Sequence, residues 1–323
     1  MQMLKRLAAA LAIASTGAAI AAGPGGYPTK PVTVVVPFAP GGGSDNIARY
    51  VVSRLSERTG ASFIIDNKPG AGTNIGNEFV GRATPDGYTL LFGQVTLAIN
   101  PYVYKTLRYN VQKNFTPIAH IADSPTVLIV TTSLPVKSAK EFVSYAKSHP
   151  DAINYGSGGK GTSVHLAGEL FGATTGTKLV HVPYRGSALA MTDLIGGQVQ
   201  SMFDTAPSAL QHIKSGKVRA LAVTGPKRLA DLPDVPTFAE TGITGFDAPA
   251  WYGLMAPTGT PAPIVQFLNA EVEQILKEPA TRQRLAQLGT EPVGGSPQDF
   301  GKFIQTESER WSSVIRAANV TPE

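Results

Sequence analysis

Cysteine is absent from all 323 residues. That excludes structural disulfides, thiolate metal sites, a cysteine nucleophile and a lipid-modified cysteine behind a leader peptide. Histidine is sparse: the five, at 120, 149, 165, 181 and 212, show neither H-x-x-x-H nor H-E-x-x-H spacing and have no carboxylate cluster beside them. No metal centre and no cofactor are expected. Basic runs and interleaved basic and aromatic residues are missing, and the formal net charge is only +5, so nucleic acid is not an expected partner. Beyond the N-terminus no segment reaches 18 consecutive apolar residues, which leaves no candidate for a membrane-spanning helix there.

What is present begins with a leader. Lys5 and Arg6 precede an apolar stretch from Leu7 to Ile20, and Ala19, Ala21, Ala22 and Gly23 offer an A-x-A-like cleavage point. Residues 1–23 read as a secretory signal peptide, too short to span a bilayer comfortably as a retained anchor. An exported chain without disulfides fits a bacterial periplasm, as a freely soluble protein rather than a lipoprotein. Removing Lys5 and Arg6 lowers the formal charge from +5 to +3. The remaining length suits about two domains, each with its own core.

Glycine (34) and proline (25) are abundant and cluster at turns between periodic segments. Residues 32–36, 63–65, 89–92, 126–131, 153–155, 178–182, 199–203 and 218–223 read as strands. Several are continuously apolar and β-branched, the pattern of parallel strands buried on both faces. Helical patterns lie between them: Ile47, Val51 and Leu55 recur at i, i+4 and i+8 behind a Ser44/Asp45 cap, and Ser138 and Glu141 make a capping box. From Pro261 onward helices dominate, over 264–276, 281–288 and a long segment opened by Ser296 and Pro297. In that last helix Phe300, Ile304, Trp311 and Ile315 share a face, which assigns them to the core. The alternation predicts an α/β fold. Residues 24–125 and 250–323 are expected to form a discontinuous first domain, with 126–249 inserted as a second and crossings near Pro125 and Pro249–Tyr252 acting as a hinge.

Two Gly-rich turns each follow a strand and open a helix. One reads Pro37-Phe38-Ala39-Pro40-Gly41-Gly42-Gly43-Ser44-Asp45, the other Gly156-Ser157-Gly158-Gly159-Lys160-Gly161-Thr162-Ser163. A helix start carries about half a positive charge and unpaired N–H donors, which suits an anion. In open α/β sheets such turns lie at the ligand crevice, so two of them facing one cleft suit a small carboxylate. Competing motifs fail. Gly156, Gly158 and Gly161 spell G-x-G-x-x-G, but His181-Val182-Pro183-Tyr184-Arg185 ends the next strand without the acid a ribose needs. Gly159-Lys160 lacks the first glycine and the Ser/Thr of a phosphate loop, and neither turn fits a G-x-S-x-G elbow. Ser163 and His165 are near neighbours but point apart on a helix, so no convincing nucleophile–base pair appears and catalysis is not expected.

These residues, together with Asn67-Lys68-Pro69-Gly70-Ala71-Gly72, Pro85-Asp86-Gly87-Tyr88, Val182-Pro183-Tyr184-Arg185-Gly186 and Leu232-Pro233-Asp234-Val235-Pro236, make a chain that resembles a known family. It is similar, over nearly all its mature length, to the periplasmic substrate-binding proteins of tripartite tricarboxylate transporters, the Bug-family receptors. The resemblance implies a two-lobed type II periplasmic binding fold that closes on a small carboxylate through amides, hydroxyls and ordered water. The guest would be a dicarboxylate, an acidic amino acid or an aromatic acid, passed by a monomeric receptor to membrane permease subunits; a sensing role with a membrane signalling partner, or an exported hydrolase, are the alternatives. On matching positions the first lobe offers Phe38 as a wall, Pro40, and the amides of Gly42, Gly43 and Ser44, with Asp45 at the helix start. Asp45 either meets the ligand or only caps its helix. The second lobe offers Ser157, Gly158, Gly161, Thr162 and Ser163, with Tyr184 and Asp204 lining the cleft. Asp204 either bonds an ammonium or water, or caps the turn at Ala206-Pro207. Gly72 and Thr73 are expected to approach as part of a third loop, and Lys160 is either a solvated loop charge or an added counter-charge.

Overall fold

The computed structural model describes residues 23–317, so the expected leader, residues 1–23, lies outside it but for Gly23. The chain builds β1 (Val32–Val36), α1 (Gly43–Thr59), β2 (Phe63–Asn67), α2 (Asn74–Gly81), β3 (Thr89–Gln94), α3 (Thr96–Val103), α4 (Val111–Asn114) and β4 (Phe115–Ser124). It then crosses into β5 (Thr126–Thr131), α5 (Ala139–Ser148), β6 (Asn154–Ser157), α6 (Ser163–Thr175), β7 (Val180–Pro183), α7 (Ser187–Ile195), β8 (Ser201–Thr205), α8 (Ala206–Lys214) and β9 (Val218–Val223). It returns as β10 (Ala250–Pro257), α9 (Ala262–Lys277), α10 (Pro279–Gln287), β11 (Glu291–Pro292) and α11 (Pro297–Ala317).

These form two α/β lobes. The first holds a six-stranded sheet in the order β11-β4-β10-β3-β1-β2, and the second a five-stranded sheet in the order β7-β6-β8-β5-β9. β1 pairs in parallel with β2 on one side and β3 on the other; β6 pairs in parallel with β7 and β8 in the same way. Strand order therefore reverses at β1 and at β6. Each of the two Gly-rich turns leaves the carboxyl end of one of these strands, which is where a crevice opens in such sheets.

The strand pattern was only partly a parallel one. β5 is buried along its whole length, as the run predicted, yet it lies antiparallel to both β8 and β9. Burial on both faces reflects helices above and below, and that covering does not depend on strand direction. β4 and β10, absent from the strand expectations, are the longest strands and pair antiparallel with each other. Pro117, His120 and Asp123 break the apolar run of β4, and Gly253 and Pro257 that of β10, which hid both from a pattern of β-branched residues. Tyr252 consequently sits inside β10 rather than at a crossing.

The lobes are joined where Pro125 alone separates β4 from β5, and where the returning chain enters β10. Thr126 ties these two crossings together, its hydroxyl donating to Ala248 O at 2.7 Å and its amide to Thr224 Oγ1 at 2.8 Å. The expected core face of α11 is real: Phe300, Ile304, Trp311 and Ile315 are all buried. Gly253 on β10 is what lets Phe300 lie on the sheet, since a Cβ there would come within 2.1 Å of its ring.

Candidate functional site

The first turn ends in Gly42, the N-cap of α1, so Gly43, Ser44 and Asp45 occupy its first turn, one step inside the expected cap. The first intrahelical bond runs from Asn46 N–H to Gly42 O, leaving the three preceding amides without a helical acceptor. In α6 the cap is Thr162, whose hydroxyl accepts from His165 N–H, while Leu166 N–H bonds to Thr162 O. Ser163 and Val164 amides are thus the ones left to serve a guest. α7 opens at Gly186, whose φ of 128° is open to glycine and strained for other residues.

Phe38, Gly42, Gly43, Ser44, Gly158, Thr162, Ser163 and Gly186–Ala188 surround one inner cavity of about 40 Å³, together with Gln94 and Thr205. That volume suits a carboxylate head or a water molecule. No charged side chain lines it. Three helix starts, α1 from one lobe and α6 and α7 from the other, meet here, and each is worth up to about 2 kcal/mol to a partly buried anion. The lobes touch around the cavity: a Cβ on Gly43 would lie 2.9 Å from Thr205 Oγ1, and Tyr104 Oη donates to Lys160 O at 3.1 Å.

An outer cavity of about 360 Å³ shares Phe38, Gly158, Thr162 and Gly186 with the inner one and adds Gly72, Thr73, Tyr104, Tyr184, Lys160 and Arg185. The third loop does reach it. Ala71 (φ 46°) and Thr73 (φ 82°) hold left-handed conformations that cost about 1–3 kcal/mol each and persist only where surroundings enforce them. Asn100 supplies that enforcement, donating from Nδ2 to Gly72 O at 2.9 Å and to Asn74 Oδ1 at 2.6 Å.

Other expected site residues lie behind these walls. Pro40 is on the exposed side of its turn and outside both cavities. The buried Asp45 carboxylate is occupied by Gly41 N–H at 2.9 Å, Arg49 Nε at 2.8 Å and Asn67 Nδ2 at 2.9 Å. Burial alone would raise its pKa, but these donors outweigh it and hold the group below the usual carboxylate range. Asp45 thereby pins the Gly-rich turn. Gly161 (φ 77°) packs beneath Tyr104, and its N–H donates to His165 Nδ1 at 3.2 Å. The ring of Tyr184 borders the outer cavity while its hydroxyl donates to Asp193 at 2.6 Å.

Ser157 is fully buried, with Oγ 2.7 Å from His181 Nε2. This pairing was not seen in the sequence, where the two residues are 24 positions apart. His181 in turn packs against His165, ring centroids 4.1 Å apart. Burial, then His181 and Lys160, push His165 down to about 3; burial, then Lys160, push His181 down to about 4. Both rings are therefore neutral, and His165 can accept the Gly161 amide. With Ser157 sealed away from both cavities, the group supports the loop rather than presenting a nucleophile.

Asp204 is the last residue but one of β8, beside the α8 start. The Ala206-Pro207 pair, read from sequence as a turn, opens a helix instead, with proline in its first turn. Asp204 is 1% exposed; Oδ1 accepts from Thr205 N–H at 2.9 Å, and Oδ2 has no well-formed hydrogen bond. Burial pushes its pKa up to about 6, against the pull of Ser208, the Thr205 amide and Ser187. The folded state thus holds this proton more tightly than the unfolded chain, whose aspartates titrate near about 3.9. This contribution is fully present below about pH 4 and is lost as pH rises to about 6, costing about 2–3 kcal/mol. Asp204→Asn is expected to abolish that loss, so urea midpoints of variant and native protein should diverge in the variant's favour between pH 4.5 and 7. A constant difference across that range would contradict the assignment.

The starts of α7 and α8 and the side chains of Gln94 and Tyr104 were the site residues missed. The available signals were Gly186 after Tyr184-Arg185 and Pro207 after Thr205-Ala206. Comparison with known proteins places the chain in a family. Residues 47–320 match the model of the tripartite tricarboxylate transporter family receptor, TctC. The chain is similar to R. palustris Rpa4515 solved with adipate, at 40% identity and a TM-score of 0.90, covering 92% of this chain and 100% of that one. It is similar to the periplasmic binding protein BugD at 37% identity and a TM-score of 0.88, covering 92% and 100%. It is also similar to MatC from Rhodopseudomonas palustris with bound malate, at 35% identity and a TM-score of 0.84, covering 90% and 100%. The chain belongs to the tripartite tricarboxylate transporter receptors, a family of periplasmic solute-binding proteins rather than enzymes.

Proposed function

We propose that this receptor closes its lobes on a small organic carboxylate and delivers it, as a monomer, to membrane permease subunits, after residues 1–23 have directed its export. One observation carries the reading: three helix starts from two lobes face a single cavity that has no charged side chain of its own. The carboxylate head would take the inner cavity through the amides of Gly43, Ser44, Ser163 and Ser187, and the rest of the guest the outer one. Lobes made of 24–125 with 250–323 and of 126–249 would then hinge at Pro125 and the entry to β10. Adipate and malate, bound by relatives, are the first candidates.

Thermal shift against adipate, malate, glutamate and benzoate tests this. A true ligand at 100 times its dissociation constant adds about 2.7 kcal/mol to stability and raises Tm. Failure of every acid to shift Tm would contradict a carboxylate receptor.

A further inference from the structure

Asp204 places a carboxyl directly behind a cavity built for anions. Ser187 links the two: it lines the inner cavity, and its side chain is near enough to Asp204 to pull the carboxyl's pKa down against burial. A serine hydroxyl has one proton to donate. Between an ionised Asp204 and a carboxylate guest it can satisfy only one of two anions. The remaining surroundings offer no countercharge. α8 presents the Ser208 hydroxyl, β5 presents Val127 across the ladder, and β10 presents the Tyr252 phenol, itself buried and without a well-formed hydrogen bond. The titratable neighbour, Tyr252, can only add negative charge.

We propose that Asp204 is a proton-binding site coupled to ligand capture: the receptor takes up one proton from solvent at this carboxyl as a carboxylate fills the inner cavity. The protonated acid then donates to Ser187 Oγ, and Ser187 donates forward to the guest. Two anions are thereby never buried side by side. The inference rests on the carboxylate reading above, and it makes capture tighter as pH falls, in a range where the guest itself stays ionised.

The test is calorimetric titration with adipate and with malate at pH 7 in phosphate and in Tris, whose ionisation heats differ. The native receptor is expected to take up between about half a proton and one proton per acid bound, and affinity to improve up to about tenfold per pH unit lowered between pH 8 and 7. Asp204→Asn, which mimics the protonated form, is expected to bind with no uptake and a flat pH profile. Ser187→Ala, on the half-buried cleft wall, is expected to weaken binding and reduce the uptake. Binding by the native receptor with equal heats in the two buffers, or undiminished uptake in Asp204→Asn, overturns the proposal while leaving the carboxylate reading intact. Absence of binding by both acids overturns the two together. Preferential capture of glutamate without proton uptake also overturns it, since an ammonium would then supply the missing charge.

Discussion

Gly43→Val is expected to fold like the native protein and to lose carboxylate binding by at least about a hundredfold, or about 2.7 kcal/mol. Gly43 is the first residue of α1, and its backbone is not left-handed, so a side chain does not strain the helix start. The conflict arises across the cleft. A Cβ would lie 2.9 Å from Thr205 Oγ1, 3.1 Å from Pro207 Cβ and 3.3 Å from Ser208 N, all on the second lobe, and the branches of valine reach further. The lobes would be wedged apart, water would enter, and the amides of α1 could no longer reach the anion held by α6 and α7. Hydrogen bonds to a charged group are worth about 1.5–3 kcal/mol each, so losing two accounts for the effect. Calorimetric titration beside a urea unfolding curve checks it. Affinity within threefold of native would contradict a closed, two-lobed site.

Trp311→Ala is expected to lower stability by about 3–5 kcal/mol, the range for removing a buried indole. Trp311 is fully buried, and its Nε1 donates to Glu307 Oε2 at 3.2 Å. It sits on α11, which touches α3 and β4 in the first lobe and α6 in the second. Neighbouring Arg310 donates to Asp247 O, on the chain returning from the second lobe, at 3.2 Å. Loosening α11 therefore frees both lobes, and affinity for the carboxylate ligand should fall with stability. A loss below about 1 kcal/mol in urea would show that α11 is not the clamp its packing indicates.

How much of this was legible in the sequence depends on whether the signal was local. β1, β5 and β9 were read with the bounds they have; in β1 and β5 runs rich in β-branched residues between turns admit little else. The buried face of α11 followed from periodicity alone. Both Gly-rich turns were located at helix starts because glycine and a strand–helix boundary mark them within a dozen residues. What was not legible was set by distance along the chain. β4 and β10 extend the first sheet by pairing with each other, and neither shows an uninterrupted β-branched run. Ser157 meets His181, and Asp45 meets Asn67, only once the strands align. The α7 start and Thr205 join the cavity because β7 and β8 flank β6 in the second sheet, which no spacing announces. Asp45 and Asp204 left two readings open each, since a carboxylate at a helix start either caps or binds, and only its partners tell which.

The central claim is that helix starts from opposite lobes grip one carboxylate head. A crystal structure of the adipate complex tests it most directly. One carboxylate should lie 2.7–3.1 Å from the amides of Gly43 or Ser44 and, on its other side, from those of Ser163 or Ser187, the usual range for charge-assisted bonds. Both carboxylates held instead by Lys160 and Arg185 in the outer cavity, with the helix starts untouched, would contradict the account.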